Sequence, residues 1–128
     1  MPSQSMGVQC EVLIPLVGNS DRSPHRDATW EWWESELIEL AGGFTGPTIY
    51  VSRSPISGAY KDPLGQLVRD ENRHYIISLL SHRVASLRLL LEKKGLEMFD
   101  QRFIYLNVGG KVEYVFPPNS PASYGGYR

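Results

Sequence analysis

The order of segments along this 128-residue chain predicts an α+β domain in which two helices cover one face of an antiparallel sheet. Three observations carry that expectation. Residues 29–41 and 82–94 repeat apolar side chains every three or four positions, the period of a helix with one buried stripe. Residues 10–17, 75–80 and 103–108 are apolar on both alternating faces, as in strands covered from two sides. Between the helices, residues 44–80 form a long antiparallel hairpin that reverses at Asp62-Pro63-Leu64-Gly65, where Pro presets the turn and Gly relieves its end.

Taken in order, residues 1–9 are a polar, flexible arm. The first strand puts Cys10, Val12, Ile14 and Leu16 on one face and Glu11, Leu13, Pro15 and Val17 on the other. A polar loop follows from Gly18 to Asp27, with His25 expected in water. The first helix, 29–41, takes Thr29 as its cap, stops at Gly42-Gly43, and buries Trp30, Trp33, Leu37, Leu40 and Ala41. At 100° per residue Trp32 falls nearly opposite that stripe, as an interface anchor or beneath a loop or tail.

In the hairpin, Pro55 and Ser57-Gly58 mark an irregular outgoing arm, and the polar string Arg69 to His74 interrupts the returning one. Ser81 caps a second helix, 82–94, with Val84, Leu87, Leu91 and Leu90 inward, and Gly95 ends it. Arg83, Arg88, Lys93 and Lys94 read as a solvated helix face. The last main strand, 102–108, turns through Gly109-Gly110 into a short return, 111–116. The tail 117–128, rich in Pro and Gly, has no periodicity. Residues 10–116 therefore form a single domain.

The order strand, helix, hairpin, helix, strand is the ferredoxin-like β-α-β-β-α-β plan with an extra C-terminal hairpin. Two helices shield one sheet face, yet the strands carry bulky apolar residues on both. The second face must be buried by another chain, by the tail or around a ligand, and a homodimer is the expected solution.

Gly42-Gly43-Phe44-Thr45, Gly58-Ala59-Tyr60, Gly65 and Asp70-Glu71, set in this plan, resemble a group of uncharacterised small bacterial ferredoxin-like domains. More distantly the chain resembles the dimeric α+β-barrel superfamily, which includes antibiotic-biosynthesis-type monooxygenases and relatives of chlorite dismutase. That resemblance implies face-to-face dimers with a pocket between helices and sheet. It carries over no catalytic residue and no haem.

Composition narrows the function classes. The net charge is -1, so no global basic field points to nucleic acid. The single cysteine, Cys10, excludes an intramolecular disulfide and reads as a packed thiol. The N-terminus lacks the plan of a signal peptide and no apolar run is long enough to span a bilayer, so a soluble cytoplasmic protein is expected. His25, His74 and His82 stand outside metal-ligand spacing, and no nucleotide-binding glycine pattern occurs, so neither metal nor cofactor is expected.

Candidate chemistry lies in the string 69–74. Asp70 and His74, on one face of a strand, pair a general base with an orienting carboxylate. Tyr50 and Tyr60 on the opposing arm add hydroxyls, and Trp30 and Trp33 line a pocket for a small apolar ligand. The alternative is a solvated strand end with weak cross-strand ion pairs. Two functions follow: an oligomerising or ligand-sensing module, or a cofactor-free enzyme acting on an apolar or aromatic metabolite.

Overall fold

The structure, a computed structural model, describes residues 7–51, 59–61, 67–69 and 71–118, without the side chains of 50, 51, 59–61 and 67–69. In chain order its elements are β1 (Gly7–Pro15), α1 (Asp27–Ala41), β2 (Thr45–Val51), β3 (Ala59–Lys61), β4 (Leu67–Arg69), β5 (Glu71–Leu80), α2 (Val84–Leu90), α3 (Leu96–Met98), β6 (Ile104–Val108) and β7 (Lys111–Val115). Among the described residues five strands form one sheet in the order β2-β5-β1-β6-β7, with every neighbouring pair antiparallel, and β3 pairs with β4 in a second, two-stranded sheet. The expected turn at 62–65 and the irregular arm around Pro55 lie outside the described residues.

In that order β5 separates β1 from β2, and β1 separates β5 from β6. Each helix thus joins two parallel strands across an inserted third, giving an α+β arrangement consistent with a ferredoxin-like fold. Both helices contribute to one core with Cys10, Val12 and Ile14 of β1, Tyr75, Ile77 and Leu79 of β5, and Ile104 and Leu106 of β6. The register sets Cys10 opposite Ile77, Val12 opposite Tyr75 and Leu106 opposite Val12, so these side chains share the helix-covered face. It also decides which alternating set turns outward: Ile76 rather than Tyr75, and Tyr105 rather than Ile104 or Leu106.

Several local expectations need correction. β1 starts at Gly7, because Gly7 to Gln9 already pair with Ser78 to Leu80, so these residues belong to the sheet and not to an arm. α1 starts at Asp27 with Arg26 at the cap position and no side-chain capping bond; Thr29 lies inside the first turn, its N–H on the Arg26 carbonyl. Gly42 does end α1, in the left-handed conformation at φ 81° with its N–H on the Ile38 carbonyl. Trp32 is half-buried, its ring 6.2 Å from that of Phe99.

The second helical segment differs most. It opens with a 3₁₀ turn over Ser81–Arg83, without a side-chain cap. Gly95 does not end it. Residues Leu91–Gly95 form a π-turn, after which α3 continues to Met98. The wide turn rotates the buried stripe, which runs Val84, Leu87, Leu91 and then Leu96 and Phe99. Gly95 is buried within it, where a Cβ would stand 3.3 Å from Leu91 and 3.7 Å from Ile104. Outside the core, Arg88 grips Glu113 of β7 with two bonds of 2.7 and 2.9 Å and fixes α2 over the sheet edge.

The loop before α1 is pinned to the end of this helical segment. Asp100, at φ 52°, accepts the Ser20 N–H and hydroxyl through its carboxylate, both at 2.8 Å, and the Asn19 N–H through its carbonyl. Gln101, buried, donates to the Val17 and Phe99 carbonyls at 2.8 Å each. His25 is accordingly half-buried and not in water: its ring stands edge-on to Trp30 and Phe99, and its Nε2 lies 2.9 Å from the Pro15 carbonyl.

Candidate functional site

Strand β5 carries a polar constellation on each of its two faces. On the helix-covered face the spacing of α1 matches that of β5. Residues four apart on a helix and two apart on a strand both advance by about 6 Å. Trp30 and Glu34 of α1 therefore stand over Arg73 and Tyr75 of β5 as two successive rungs.

In the first rung the Arg73 guanidinium lies over the Trp30 ring, 4.1 Å from its centre. In the second, the Tyr75 hydroxyl donates to Glu34 Oε2 at 2.7 Å. Arg73 Nη1 reaches the same oxygen at 3.4 Å and links the rungs. Tyr75 is fully buried; burial, followed by the hydrogen bond to the Glu34 carboxylate, pushes its phenol far above the ordinary range. Arg73 and Glu34 each keep 28% of their side-chain surface in water. The group is thus rooted in the core and open at its rim.

The flanks of the rim are apolar. Ile38 lies one turn beyond Glu34 on α1, and Ile49 of β2 pairs with Arg73 in the sheet register; they are 54% and 57% exposed. His25 and Phe99 also pack against the Trp30 ring. Burial holds the His25 imidazole below its usual range, against the opposing pull of the Pro15 carbonyl and of Asp100. Trp33 stands edge-on to Tyr75, wholly buried, and its Nε1–H has no hydrogen-bond partner among the described residues.

On the face turned away from the helices His74 Nε2 lies 2.8 Å from Glu11 Oε1, a diagonal cross-strand contact, with side-chain exposures of 22% and 34%. Leu13, opposite both His74 and Tyr105, is buried there. Further along, the Phe103 ring meets both Phe116 and Tyr114, and Tyr114 in turn meets Tyr105, giving a run of aromatic rings on the outer side of β6 and β7. Phe103 and Val112 on that side are 46% and 48% exposed.

The residues singled out from sequence are thus divided. Trp30 and Trp33 lie on the helix side and His74 on the other, so the sheet separates them. Asp70 lies outside the described residues. Tyr50 and Tyr60 belong to β2 and β3, but their side chains are not described. Glu34, Arg73 and Tyr75 were missed as a unit. Their only local signal is Trp-x-x-x-Glu on a helix and Arg-x-Tyr on a strand, which says nothing until the register is known.

The sequence matches no protein-family model and no curated protein. Among solved structures the chain is similar to a phage SAM lyase in complex with S-methyl-5'-thioadenosine. The match has a TM-score of 0.58 and 15% identity over 94% of this chain and 97% of that one. The fold is shared. It is also similar to the divalent cation tolerance protein CutA1 from Thermus thermophilus, with a TM-score of 0.47 and 10% identity over 95% and 94% of the two chains. Among the described residues no three His, Cys, Asp or Glu side chains are grouped to hold a metal ion, and no helix is long and apolar enough to cross a membrane.

Proposed function

We propose that this chain is a small self-associating module that binds a small ligand at the rim between α1 and β5. The observation that supports it is the Glu34–Arg73 pair. A charged pair half withdrawn from water adds little to stability, and apolar residues of similar size would pack such an interface at least as well. Its rooting on a buried phenol and an indole instead gives it one fixed geometry, which is what recognition requires. A fold shared with a lyase that holds a small thioether nucleoside is compatible with this reading.

The self-association is a homodimer through the sheet face turned away from the helices. Phe103, Tyr105, Val112, Tyr114 and Phe116 gather there, and a partner copy would remove them from water. Light scattering at micromolar concentration tests it: the wild type gives near twice the monomer mass, and Phe103→Glu returns it to the monomer. The ligand is tested by thermal shift against neutral, anionic and cationic small molecules. A compound that raises Tm in the wild type but not in Arg73→Lys supports the rim as its site.

A second reading, a cofactor-free enzyme acting on an apolar or aromatic metabolite, is favoured by the Tyr75 hydroxyl held on the Glu34 carboxylate. In that reading His74 with Asp70, Tyr50 and Tyr60 form a further candidate group. Turnover lost in Tyr75→Phe but kept in His74→Ala would place the chemistry on the helix side; the reverse would place it on the other face.

A further inference from the structure

The rim of the α1–β5 cluster also selects among ligand chemistries, taking the ligand-binding reading above as its premise. An anion drawn to Arg73 meets the Glu34 carboxylate, whose Oε2 lies 3.4 Å from the guanidinium. An added cation finds the Trp30 face already taken by Arg73. A neutral group that donates and accepts side by side meets neither obstacle.

Both halves of such recognition are on the structure. Glu34 Oε2 accepts from Tyr75 and Arg73, whereas no hydrogen bond to Oε1 is found among the described residues. Oε1 is an acceptor on a side chain that reaches solvent. Arg73 turns Nη1 to Glu34 and its guanidinium sits over the indole, so its remaining donors are anchored at the rim. Ile38 and Ile49, more than half exposed beside them, offer apolar contact to the faces of a ring.

We infer that the α1–β5 rim binds a neutral planar N-heteroaromatic ligand whose ring nitrogen stands beside an exocyclic amino group. The amino group donates to Glu34 Oε1, and the ring nitrogen accepts from Arg73. This pairing of adjacent donor and acceptor is how carboxylate and guanidinium groups read heterocycle edges elsewhere.

The test uses the full chain and two neutral nucleosides. 2-Aminopurine riboside, followed by its own fluorescence, should bind saturably at up to about millimolar concentration, and purine riboside, which lacks the amino group, should compete at least about tenfold more weakly. Arg73→Lys keeps the charge but loses the planar fork, and should weaken 2-aminopurine riboside by about tenfold at an unchanged far-ultraviolet spectrum. Lys93→Ala, exposed on the second helical segment, should leave binding unchanged. Absence of saturable binding, or equal affinity for the two nucleosides, overturns this ligand class. If a compound of other chemistry then shifts wild-type Tm but not that of Arg73→Lys, the binding site stands and only its assigned ligand falls. If no compound shifts Tm, both fall.

Discussion

The two faces of β5 hold hydrogen bonds of almost the same length in opposite surroundings. Tyr75 reaches Glu34 at 2.7 Å beneath α1, and His74 reaches Glu11 at 2.8 Å on the side away from the helices. The first involves a wholly buried ring whose phenol is driven far from its ordinary ionisation; the second joins two side chains that both keep water around them. Length does not rank such contacts. The cost of leaving the remaining partner unmatched does, and that cost rises with burial.

The largest effect is expected from Leu91→Ala, which empties a wholly buried position under the helix side and should cost about 2–5 kcal/mol in a urea titration. An outward substitution such as Val112→Ala, 48% exposed, should stay within about 0.5 kcal/mol in the monomer. Removing the buried hydroxyl with Tyr75→Phe leaves Glu34 without its shortest partner and should cost about 1–3 kcal/mol.

The same phenol makes an alkaline prediction. Its folded pKa is raised above the ordinary value of 10.0, so its stabilising contribution is present below that pH and is lost as pH rises beyond it. Ultraviolet titration at tyrosinate wavelengths should find this residue still protonated where ordinary phenols have ionised, until the chain unfolds.

His25 sharpens the contrast at acid pH. Its folded pKa is lowered from 6.5, so its contribution is present above that value and fades as pH falls through the depressed one. Stability should decline below pH 6.5, with a slope from this one proton of at most about 1.4 kcal/mol per pH unit. His25→Gln should flatten that limb in denaturation curves. The smallest effect belongs to the face away from the helices: His74→Ala should change stability by a few tenths of a kcal/mol, about the weight of an exposed pair. A loss as large as that of Tyr75→Phe would show that the His74–Glu11 contact is sealed from water.

How much could be read beforehand depended on the reach of each signal. The α1 stripe of Trp30, Trp33 and Leu37 is a matter of helical period alone, and the Gly109-Gly110 turn of two adjacent residues at φ 57° and 96°; both were legible. The sheet order follows from the sequence of elements. His25 was misjudged because what buries it, Phe99, lies more than seventy positions away. The end of the second helix was misjudged because a glycine after two lysines imitates a stop, while the π-turn shifts the apolar phase that would have shown the continuation. The Glu34–Arg73–Tyr75 group depends on the register between a helix and a strand joined through three other elements, and no local pattern encodes it. Asking for His74 and the tryptophans in one place failed for the same reason: alternation tells which residues share a face, not which face the helices choose.

The π-turn also bears on how this chain can change in length. Leu91 and Leu96, both buried on the same stripe, stand five residues apart where an ordinary helix would need four. Deleting Lys93, which is exposed, would bring them to the ordinary spacing and let α2 run into α3 as one unbroken helix, with every downstream core contact kept in phase. Across most of a packed helix a single-residue deletion scrambles everything after it. Here the surplus residue is already looped out, so related chains one residue shorter at this point would share the same core.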